Sequence, residues 1–216
     1  MNASSSEDNE LKGFIATLKK RRRDIPFPAA IEAMTRFKVL PIDLHDPKDV
    51  ALIAKITTAL KTATAKAFKS GIFTNRPNEV GNHIEPFVRD ALNGVGLKAG
   101  IPKTVKGKHK AAGYPDIEIS EGGGRTTYLE CKTFNAKSED SSFRAFYMQP
   151  SEDSKVTVNA RHLLVGFEIK KEKRAGKMAY VPVKWKLYSL ETLKVQIKNE
   201  FNASSKEIYS KSRLLG

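Results

Sequence analysis

The sequence predicts an α/β fold that carries a helical lobe at its N-terminus. Apolar side chains in the first 75 residues recur every three or four positions, which is typical of helices. From residue 116 onward apolar and polar residues alternate, which is typical of strands. The chain has 216 residues, 40% of them hydrophobic and 29% charged, so it can bury a large core. We therefore expect a lobe over residues 1–75 and a core over residues 76–216, packed together as one compact unit.

The lobe is predicted to contain two helices after a short tail. Residues 1–10 are polar, acidic and rich in serine, and we expect them to be disordered. A short helix with a basic end is expected over residues 12–24. The strongest helix signal spans residues 46–70, because Asp46 can cap its start and Gly71 suits its exit.

The rest of the chain is predicted to hold a second long helix, a hairpin, two further strands and a closing helix. The period changes to two after a lysine-rich loop, and a run of glycines lets the chain turn inside the hairpin. Pro86 predicts a kink or a late start in the helix before that loop. The predicted elements are a helix over 77–93, strands over 116–120 and 126–134, strands over 161–170 and 180–188, and a helix over 190–201.

The balance of charge points to a polyanionic partner. The 38 lysines and arginines outnumber the 24 aspartates and glutamates, which gives a net charge of +14. Cations placed near phosphates release condensed counterions, so nucleic acid is favoured as the partner over a membrane surface. Residues 97–115 contain lysines and no acid, and four of those lysines are predicted to contact DNA: Lys103, Lys106, Lys108 and Lys110.

Composition also limits the compartment and the metal chemistry. No apolar stretch approaches the roughly 20 residues of a membrane span, and the first ten residues lack the layout of a secretory signal. We therefore expect a cytoplasmic protein. Cys131 is the one cysteine of the sequence, which excludes an intramolecular disulfide and a cysteine-rich zinc site. A metal site would use oxygen or histidine ligands.

Two carboxylates and a lysine are expected to meet on the hairpin. Asp116 opens the first strand, while Glu130 and Lys132 lie two positions apart on the second strand, so their side chains share a face. Carboxylate oxygens suit Mg²⁺, which neutralises charge on a phosphate, and a lysine can orient or deprotonate the attacking water. These groups together are what hydrolysis of a phosphodiester needs.

The order of these residues resembles the signature of the PD-(D/E)xK nuclease superfamily. Pro115-Asp116 is followed after thirteen residues by Glu130-Cys131-Lys132. The resemblance covers about residues 77–170, and the proportions of the chain are similar to those of type II restriction endonucleases. It implies an αβββαβ core, in which a central mixed β-sheet is flanked by helices.

The resemblance also implies a cofactor and its ligands. Mg²⁺ would be held by Asp116, by Glu130 and by the backbone carbonyl of Cys131. Many members add an acid from the preceding helix, and Glu85 matches that position best, with Glu79 as the alternative. The segment after the second strand faces DNA in the resembled enzymes, so three of its residues are predicted to bind DNA: Arg144, Tyr147 and Gln149. A plain loop and core helix is the alternative for that segment.

Other interpretations of the motif stay open. Asp153-Ser154-Lys155 and Glu168-Ile169-Lys170 also have an acid two residues before a lysine, although neither follows a Pro-Asp strand start. The three residues of the proposed triad could instead form a ladder of surface charges across two strands.

The sequence as a whole predicts a Mg²⁺-dependent type II restriction endonuclease of a bacterium or archaeon. We expect it to cut double-stranded DNA as a homodimer, because a two-fold enzyme matches the two-fold sites of the resembled family. Gly122–Gly124 lacks the lysine of a phosphate-binding loop, so no nucleotide cofactor is expected. The alternatives are a structure-specific or repair nuclease with the same core, and a DNA-binding protein without catalysis.

Overall fold

The computed structural model describes residues 3–20, 22–76, 79–136, 146–200 and 202–214, with side chains from residue 7 onward. The chain forms two compact units, one of residues 26–193 and one of residues 1–25 with 194–216. The helices are α1 (Ala3–Leu18), α2 (Phe27–Thr35), α3 (Pro47–Ser70), α4 (Val80–Gly94) and α5 (Ser205–Ile208). The strands are β1 (Arg22–Pro26), β2 (Val39–Leu40), β3 (Lys98–Gly100), β4 (Ile117–Ser120), β5 (Thr126–Phe134), β6 (Ala160–Arg174), β7 (Lys177–Ser189) and β8 (Lys194–Ile197).

The larger unit is built on a six-stranded mixed sheet. Its strand order is β2-β6-β5-β4-β3, and β7 pairs with the same edge of β6 as β2 does. The β5–β6 and β2–β6 pairs are parallel, whereas β3–β4, β4–β5 and β6–β7 are antiparallel. Helices α3 and α4 pack with this sheet around one hydrophobic core. The predicted α/β fold with a central mixed sheet and flanking helices is confirmed.

Helix α3 follows the predicted start and end signals. The side chain of Asp46 accepts a hydrogen bond from the backbone N–H of Lys48 at 2.8 Å, which caps the start. Gly71 follows the last residue with a φ of +68°, a conformation that glycine adopts at little cost. The buried face of the helix recurs at helical spacing and consists of Asp49, Leu52, Ile56, Ala59, Leu60, Ala63 and Ala67. Helix α3 therefore contributes to the core of the larger unit, and a division at residue 75 stays a prediction.

Helix α4 runs through Pro86 instead of breaking there. It begins at Val80, three residues later than the prediction. Its buried side chains are Val80, Ile84, Val88, Ala91 and Leu92, which form a strongly one-sided apolar face. Burial of this face offsets the backbone hydrogen bond that a proline inside a helix removes.

The hairpin and the two later strands are placed as predicted. Strands β4 and β5 are joined through Gly122–Gly124, where Gly123 and Gly124 both have a φ of +76°. Side chains other than glycine rarely adopt that conformation, so the glycine run is what allows this turn. Strands β6 and β7 extend beyond the predicted limits and form a long antiparallel ribbon that turns at Ala175 and Gly176.

Two predictions for the smaller unit are wrong, and the helix expected over 12–24 is present only over 12–18, as part of α1. Residues 194–197 form strand β8, where we expected a helix over 190–201, because Val195 and Ile197 alternate with polar residues. The partner of β8 is β1, which takes residues from the helix expected over 12–24. Consecutive cations over residues 19–23 repel one another in a helix, so α1 stops at Leu18.

The second wrong prediction concerns the N-terminal tail. Residues 1–10 were expected to be disordered, yet α1 begins at Ala3. Glu7, Glu10 and Leu11 are good helix formers and extend the helical pattern toward the N-terminus. In the ranges that the structure describes, no helix combines the length and the apolarity needed to cross a membrane.

Candidate active site

The register of the hairpin brings Asp116 next to Glu130. Ile117 pairs with Leu129 across β4 and β5, so the preceding and following residues are neighbours at the end of the ladder. The Asp116 carboxylate accepts a hydrogen bond at its Oδ2 from the backbone N–H of Cys131 at 2.8 Å. This bond fixes the orientation of the Asp116 carboxylate toward β5.

Glu130 is almost entirely buried, with 3% of its surface exposed. Its Oε1 accepts a hydrogen bond from Nζ of Lys132 at 2.5 Å, and the two side chains also form an ion pair. Its Oε2 is buried and has no hydrogen-bond partner among the described residues. A buried carboxylate oxygen without a partner is costly, so this atom is positioned for a group that the chain itself does not supply.

Electrostatics place Glu85 in the same cluster. Burial and, after it, the charges of Asp116 and Glu130 raise the pKa of Glu85 to about 7. Burial and Asp116 likewise raise the pKa of Glu130 to about 7, against the opposing effect of Lys132. The structure thus brings together the predicted triad and Glu85.

Glu79 lies in a different environment. Its Oε2 accepts a hydrogen bond from the Thr74 hydroxyl at 3.1 Å, and its Oε1 pairs with Arg76 at 3.3 Å. Of the two acids considered for the helix position, Glu85 therefore has the surroundings that the resemblance implies, and Glu79 does not.

Cys131 contributes through its backbone. Its side chain is buried in the hydrophobic core, as the alternation along β5 requires, while its N–H donates to Asp116. The role of its carbonyl as a metal ligand stays a prediction.

A cluster of aromatic and imidazole rings packs around Tyr114, just before the start of β4. The hydroxyl of Tyr114 lies 2.6 Å from Nδ1 of His162, and the two rings stack at 5.8 Å. Phe27 and Phe146 pack edge-on against Tyr114 at 5.9 Å and 5.5 Å. Burial lowers the pKa of His162 to about 3, so the imidazole is neutral near pH 7. These contacts hold Tyr114, and with it the adjoining Pro115-Asp116.

The four lysines of the basic loop are all exposed. Residues 103–110 fold back on themselves and are called the lysine finger. Lys103 and His109 form an antiparallel β-bridge, and the N–H of Thr104 donates to the carbonyl of Lys108 at 2.8 Å. The finger is anchored at its tip, because the N–H of Val105 donates to the carbonyl of Ser154 at 2.9 Å. Lys103, Lys106, Lys108 and Lys110 project into solvent from this anchored loop.

The other predicted DNA-binding residues lie beyond β5. Tyr147 and Gln149 are exposed and line a cleft of about 430 Å³, whose wall also includes Lys110 and Tyr114. Arg144 lies outside the described residues. Tyr147, Gln149 and Lys110 of the predicted DNA-binding residues therefore line the same cleft as Tyr114, which precedes Pro115.

Among the residues that the structure describes, neither alternative acid-x-lysine motif forms a second cluster of carboxylates. Asp153 accepts a hydrogen bond from the backbone N–H of Lys106 at 3.2 Å and so fastens the lysine finger. Glu168 pairs with Phe134 in the register of β5 and β6, and its Oε2 forms an ion pair with Nζ of Lys184 at 3.9 Å. Glu168 thus lies farther along the sheet, as expected from the sequence.

Sequence reasoning missed Lys155, which the structure adds to the site. Lys155 is 3% exposed, and its Nζ donates to the carbonyl of Ala111 at 3.3 Å. Burial lowers its pKa, while Asp116, Glu130 and Glu85 all act in the opposite direction. No periodic pattern surrounds this lysine in the sequence, so it could be considered only as part of an alternative motif.

The donor set fits a divalent cation. Within the described parts of the chain, no three acid, histidine or cysteine side chains form a ready-made cage. The fit rests on the partnerless Glu130 Oε2 and on the mutual repulsion of the Glu85, Asp116 and Glu130 carboxylates. A cation bound by the oxygens of these carboxylates would give Glu130 Oε2 a partner and would reduce the repulsion between the carboxylates.

The chain is similar to known type II restriction enzymes. Residues 18–212 match the model of the type II restriction enzyme MjaV family. The chain is 39% identical over 222 residues to the type II restriction enzyme MjaV of Methanocaldococcus jannaschii, an alignment that covers 95% of this chain and 94% of that protein. It also resembles the tetrameric restriction endonuclease SfiI bound to cognate DNA, with a TM-score of 0.41 and 15% identity over 70% of this chain and 67% of that one.

The resemblance drawn from Pro115-Asp116 and Glu130-Cys131-Lys132 is confirmed by the first two of these matches. Both extend over nearly the whole chain and include every residue of the site. The protein is an enzyme, and it belongs to the MjaV family of type II restriction enzymes.

Proposed function

We propose that this enzyme is a Mg²⁺-dependent endonuclease that hydrolyses phosphodiester bonds in double-stranded DNA at a specific sequence. The observation that carries the proposal is the buried Glu130 Oε2, which has no partner in the described chain and lies beside Asp116. An acidic pair with an open oxygen next to a lysine is the arrangement that phosphodiester hydrolysis requires.

The residues divide the work by their chemistry. Asp116 and Glu130 would hold the ion, with the carbonyl of Cys131 and the carboxylate of Glu85 as further ligands. When bound, Mg²⁺ supplies Lewis-acid stabilisation of the charge that develops on the phosphate. The repulsion that raises the pKa of Glu85 and Glu130 makes proton loss and cation binding one coupled event.

Lys132 acts as a cation and a hydrogen-bond donor in this proposal. Burial would lower its pKa, but the Glu130 carboxylate outweighs burial and the net shift is upward. The ammonium therefore keeps its proton near neutral pH. It would orient the attacking water and stabilise negative charge, and deprotonation of the water falls to another group.

DNA would be bound by the lysine finger and by the cleft residues Tyr147 and Gln149, with Arg144 as a further candidate. Exposed ammonium groups on an anchored loop can track phosphates without a large loss of chain entropy. The glycine turn joins two strands and does not precede a helix, which supports a reaction without a nucleotide cofactor. A homodimer would match a two-fold recognition sequence.

Incubation of the purified enzyme with unmethylated phage DNA tests the proposal. We expect discrete bands in Mg²⁺, DNA binding without cutting in Ca²⁺, and no cutting in EDTA. A smear would replace the sequence-specific enzyme by a nonspecific or structure-specific nuclease. Intact DNA with a mobility shift in Mg²⁺ would favour a binding protein without catalysis, and full activity in EDTA would overturn the metal requirement.

A further inference from the structure

Lys155 is a buried cation that the proposed mechanism does not yet use. It lies 23 positions after Lys132 in the sequence, outside any strand or helix, and only 3% of it is exposed. Its ammonium is close enough to Asp116, Glu130 and Glu85 for all three carboxylates to act on its charge. A fifth charged side chain therefore joins the triad and Glu85 from a separate segment of the chain.

The segment that carries Lys155 is held on both sides. The N–H of Thr157 donates to the hydroxyl of Tyr128 on β5 at 3.0 Å. On the other side, the carbonyl of Ser154 accepts from Val105 of the lysine finger at 2.9 Å. These two bonds fix the backbone around Lys155, so its side chain is positioned before any substrate arrives.

The Lys155 ammonium is only partly satisfied by the protein. Its one hydrogen bond goes to the neutral carbonyl of Ala111 at 3.3 Å, and it forms no ion pair within 4.0 Å among the described residues. Two of the nearby carboxylate oxygens already have other partners, since Glu130 Oε1 pairs with Lys132 and Asp116 Oδ2 accepts from the backbone N–H of Cys131. A buried ammonium with two unused donor hydrogens is costly unless an anion completes its shell.

The same lysine borders the cleft beyond β5. Its neighbours along the wall of that cleft include Tyr114, Gln149 and the exposed Lys110. One end of the Lys155 side chain thus faces the carboxylates, and the residue also lines a space that opens to solvent. Tyr114, two residues before Asp116, lines the same cleft, so a DNA phosphate bound there would lie near Lys155.

We infer that Lys155 is a second catalytic lysine, whose ammonium binds a non-bridging oxygen of the scissile phosphate. The inference rests on the proposed phosphodiesterase function. The two lysines then have separate tasks: Lys132 is committed to Glu130 and the attacking water, and Lys155 stabilises charge on the phosphate itself. Stabilisation of such a developing charge by a fixed donor is worth about 100-fold in rate.

Single-turnover cleavage of cognate DNA at saturating enzyme and Mg²⁺ tests this role. Lys155→Met should cut about 100-fold more slowly than the wild type, and Lys155→Arg, which keeps the charge, should recover part of the loss. Lys66→Met is the matched control, because Lys66 is an exposed lysine of α3 and its loss changes net charge equally. Thermal melting of each variant verifies the fold, and Lys155→Gln replaces Lys155→Met if the latter does not fold.

A second readout separates contact with phosphate from a structural role. Sulfur in place of one non-bridging oxygen should slow the wild type, and for one diastereomer that effect should largely disappear in Lys155→Met, because the partner of that oxygen is gone. Two results would overturn the inference and leave the proposed function intact. One is a sulfur effect that is the same in Lys155→Met and the wild type, and the other is a Lys155→Met cleavage rate equal to that of the wild type at saturating Mg²⁺. A wild type that binds DNA and never cuts it would overturn both.

Discussion

The proposed active site contains side chains whose ionised forms are unfavourable in the metal-free protein. Glu85 and Glu130 both have pKa values of about 7, raised first by burial and then by neighbouring carboxylates. Ionised at slightly alkaline pH, these groups repel one another inside a poorly solvated site. The repulsion lowers the free energy of unfolding of the metal-free protein, and a bound cation would remove that repulsion. Such a loss of stability is common at functional sites.

Glu85→Gln should stabilise the metal-free protein at pH 8. The folded-state pKa of Glu85 lies above its ordinary value of 4.5, so its contribution is present below about pH 4.5 and is lost as the pH rises through about 7. The amide cannot ionise, so the variant should gain about 1 kcal/mol in unfolding free energy at pH 8, after discounting for solvent screening, and nothing at pH 4.5.

Thermal denaturation in EDTA at the two pH values measures this difference. The same variant should cut DNA more slowly, because a metal ligand is lost. Glu79→Gln serves as the matched control and should change neither property, since Glu79 pairs with Thr74 and Arg76. Loss of cleavage in Glu79→Gln with normal cleavage in Glu85→Gln would reverse the assignment of the helix acid.

His162 should make the protein sensitive to acid. Burial depresses its folded-state pKa to about 3, whereas the unfolded chain takes up a proton near pH 6.5. Stability is therefore lost progressively as the pH falls from 6.5 toward 3, by up to about 1.4 kcal/mol per pH unit. His162→Gln keeps a hydrogen-bond partner for the Tyr114 hydroxyl but cannot become charged, so urea unfolding between pH 7 and pH 5 should show a shallower decline in stability. An equal decline in both proteins would contradict a buried neutral imidazole.

At the scale of elements, prediction succeeded where the signals were local. Helix α3 has its cap, its first proline and its exit glycine within its own sequence, and the β4–β5 hairpin has its glycine turn. Strand β8 was missed because its partner β1 lies about 170 residues earlier, and no local pattern encodes that pairing.

The candidate site shows the same division. Asp116, Glu130 and Lys132 were found because the two-residue period of a strand fixes which side chains share a face. Lys155 was missed because its position depends on contacts of Ser154 and Thr157 with distant segments. The spacing of residues in the sequence does not predict which side chains of irregular segments lie in a site.

The lysine finger should govern the salt dependence of DNA binding. If Lys106 contacts a phosphate, Lys106→Ala should reduce the slope of log K against log salt concentration by about one and weaken binding to all sequences alike. Lys66→Ala, on the exposed face of α3, should leave the slope unchanged. Fluorescence anisotropy in Ca²⁺ over a range of NaCl concentrations gives both slopes. Equal slopes for Lys106→Ala and the wild type would place the finger away from DNA.

At the scale of the whole molecule, excess positive charge and assembly decide how the enzyme meets its substrate. A net charge of +14 attracts DNA of any sequence and speeds association. Selectivity must then come from base contacts and from the symmetry of the assembly. We predict a homodimer with one active site per strand.

Sedimentation velocity and the pattern of products test this assembly. The free enzyme should sediment at about twice the mass of one chain, and one binding event should cut both strands of a supercoiled plasmid to yield linear DNA. A monomer that accumulates nicked circles as its main product would contradict the predicted homodimer.

We propose that Asp116, Glu130 and Lys132 on the β4–β5 hairpin form the catalytic site. Cleavage of cognate DNA in Mg²⁺ by Lys132→Ala and by Lys170→Ala tests it most directly, because Lys170 belongs to the alternative motif and is exposed on the β6–β7 ribbon. Lys132→Ala should lower the cleavage rate by roughly 100-fold or more with its fold and DNA binding preserved, and Lys170→Ala should cut at the wild-type rate. An inactive Lys170→Ala beside an active Lys132→Ala would show that the catalytic site lies elsewhere.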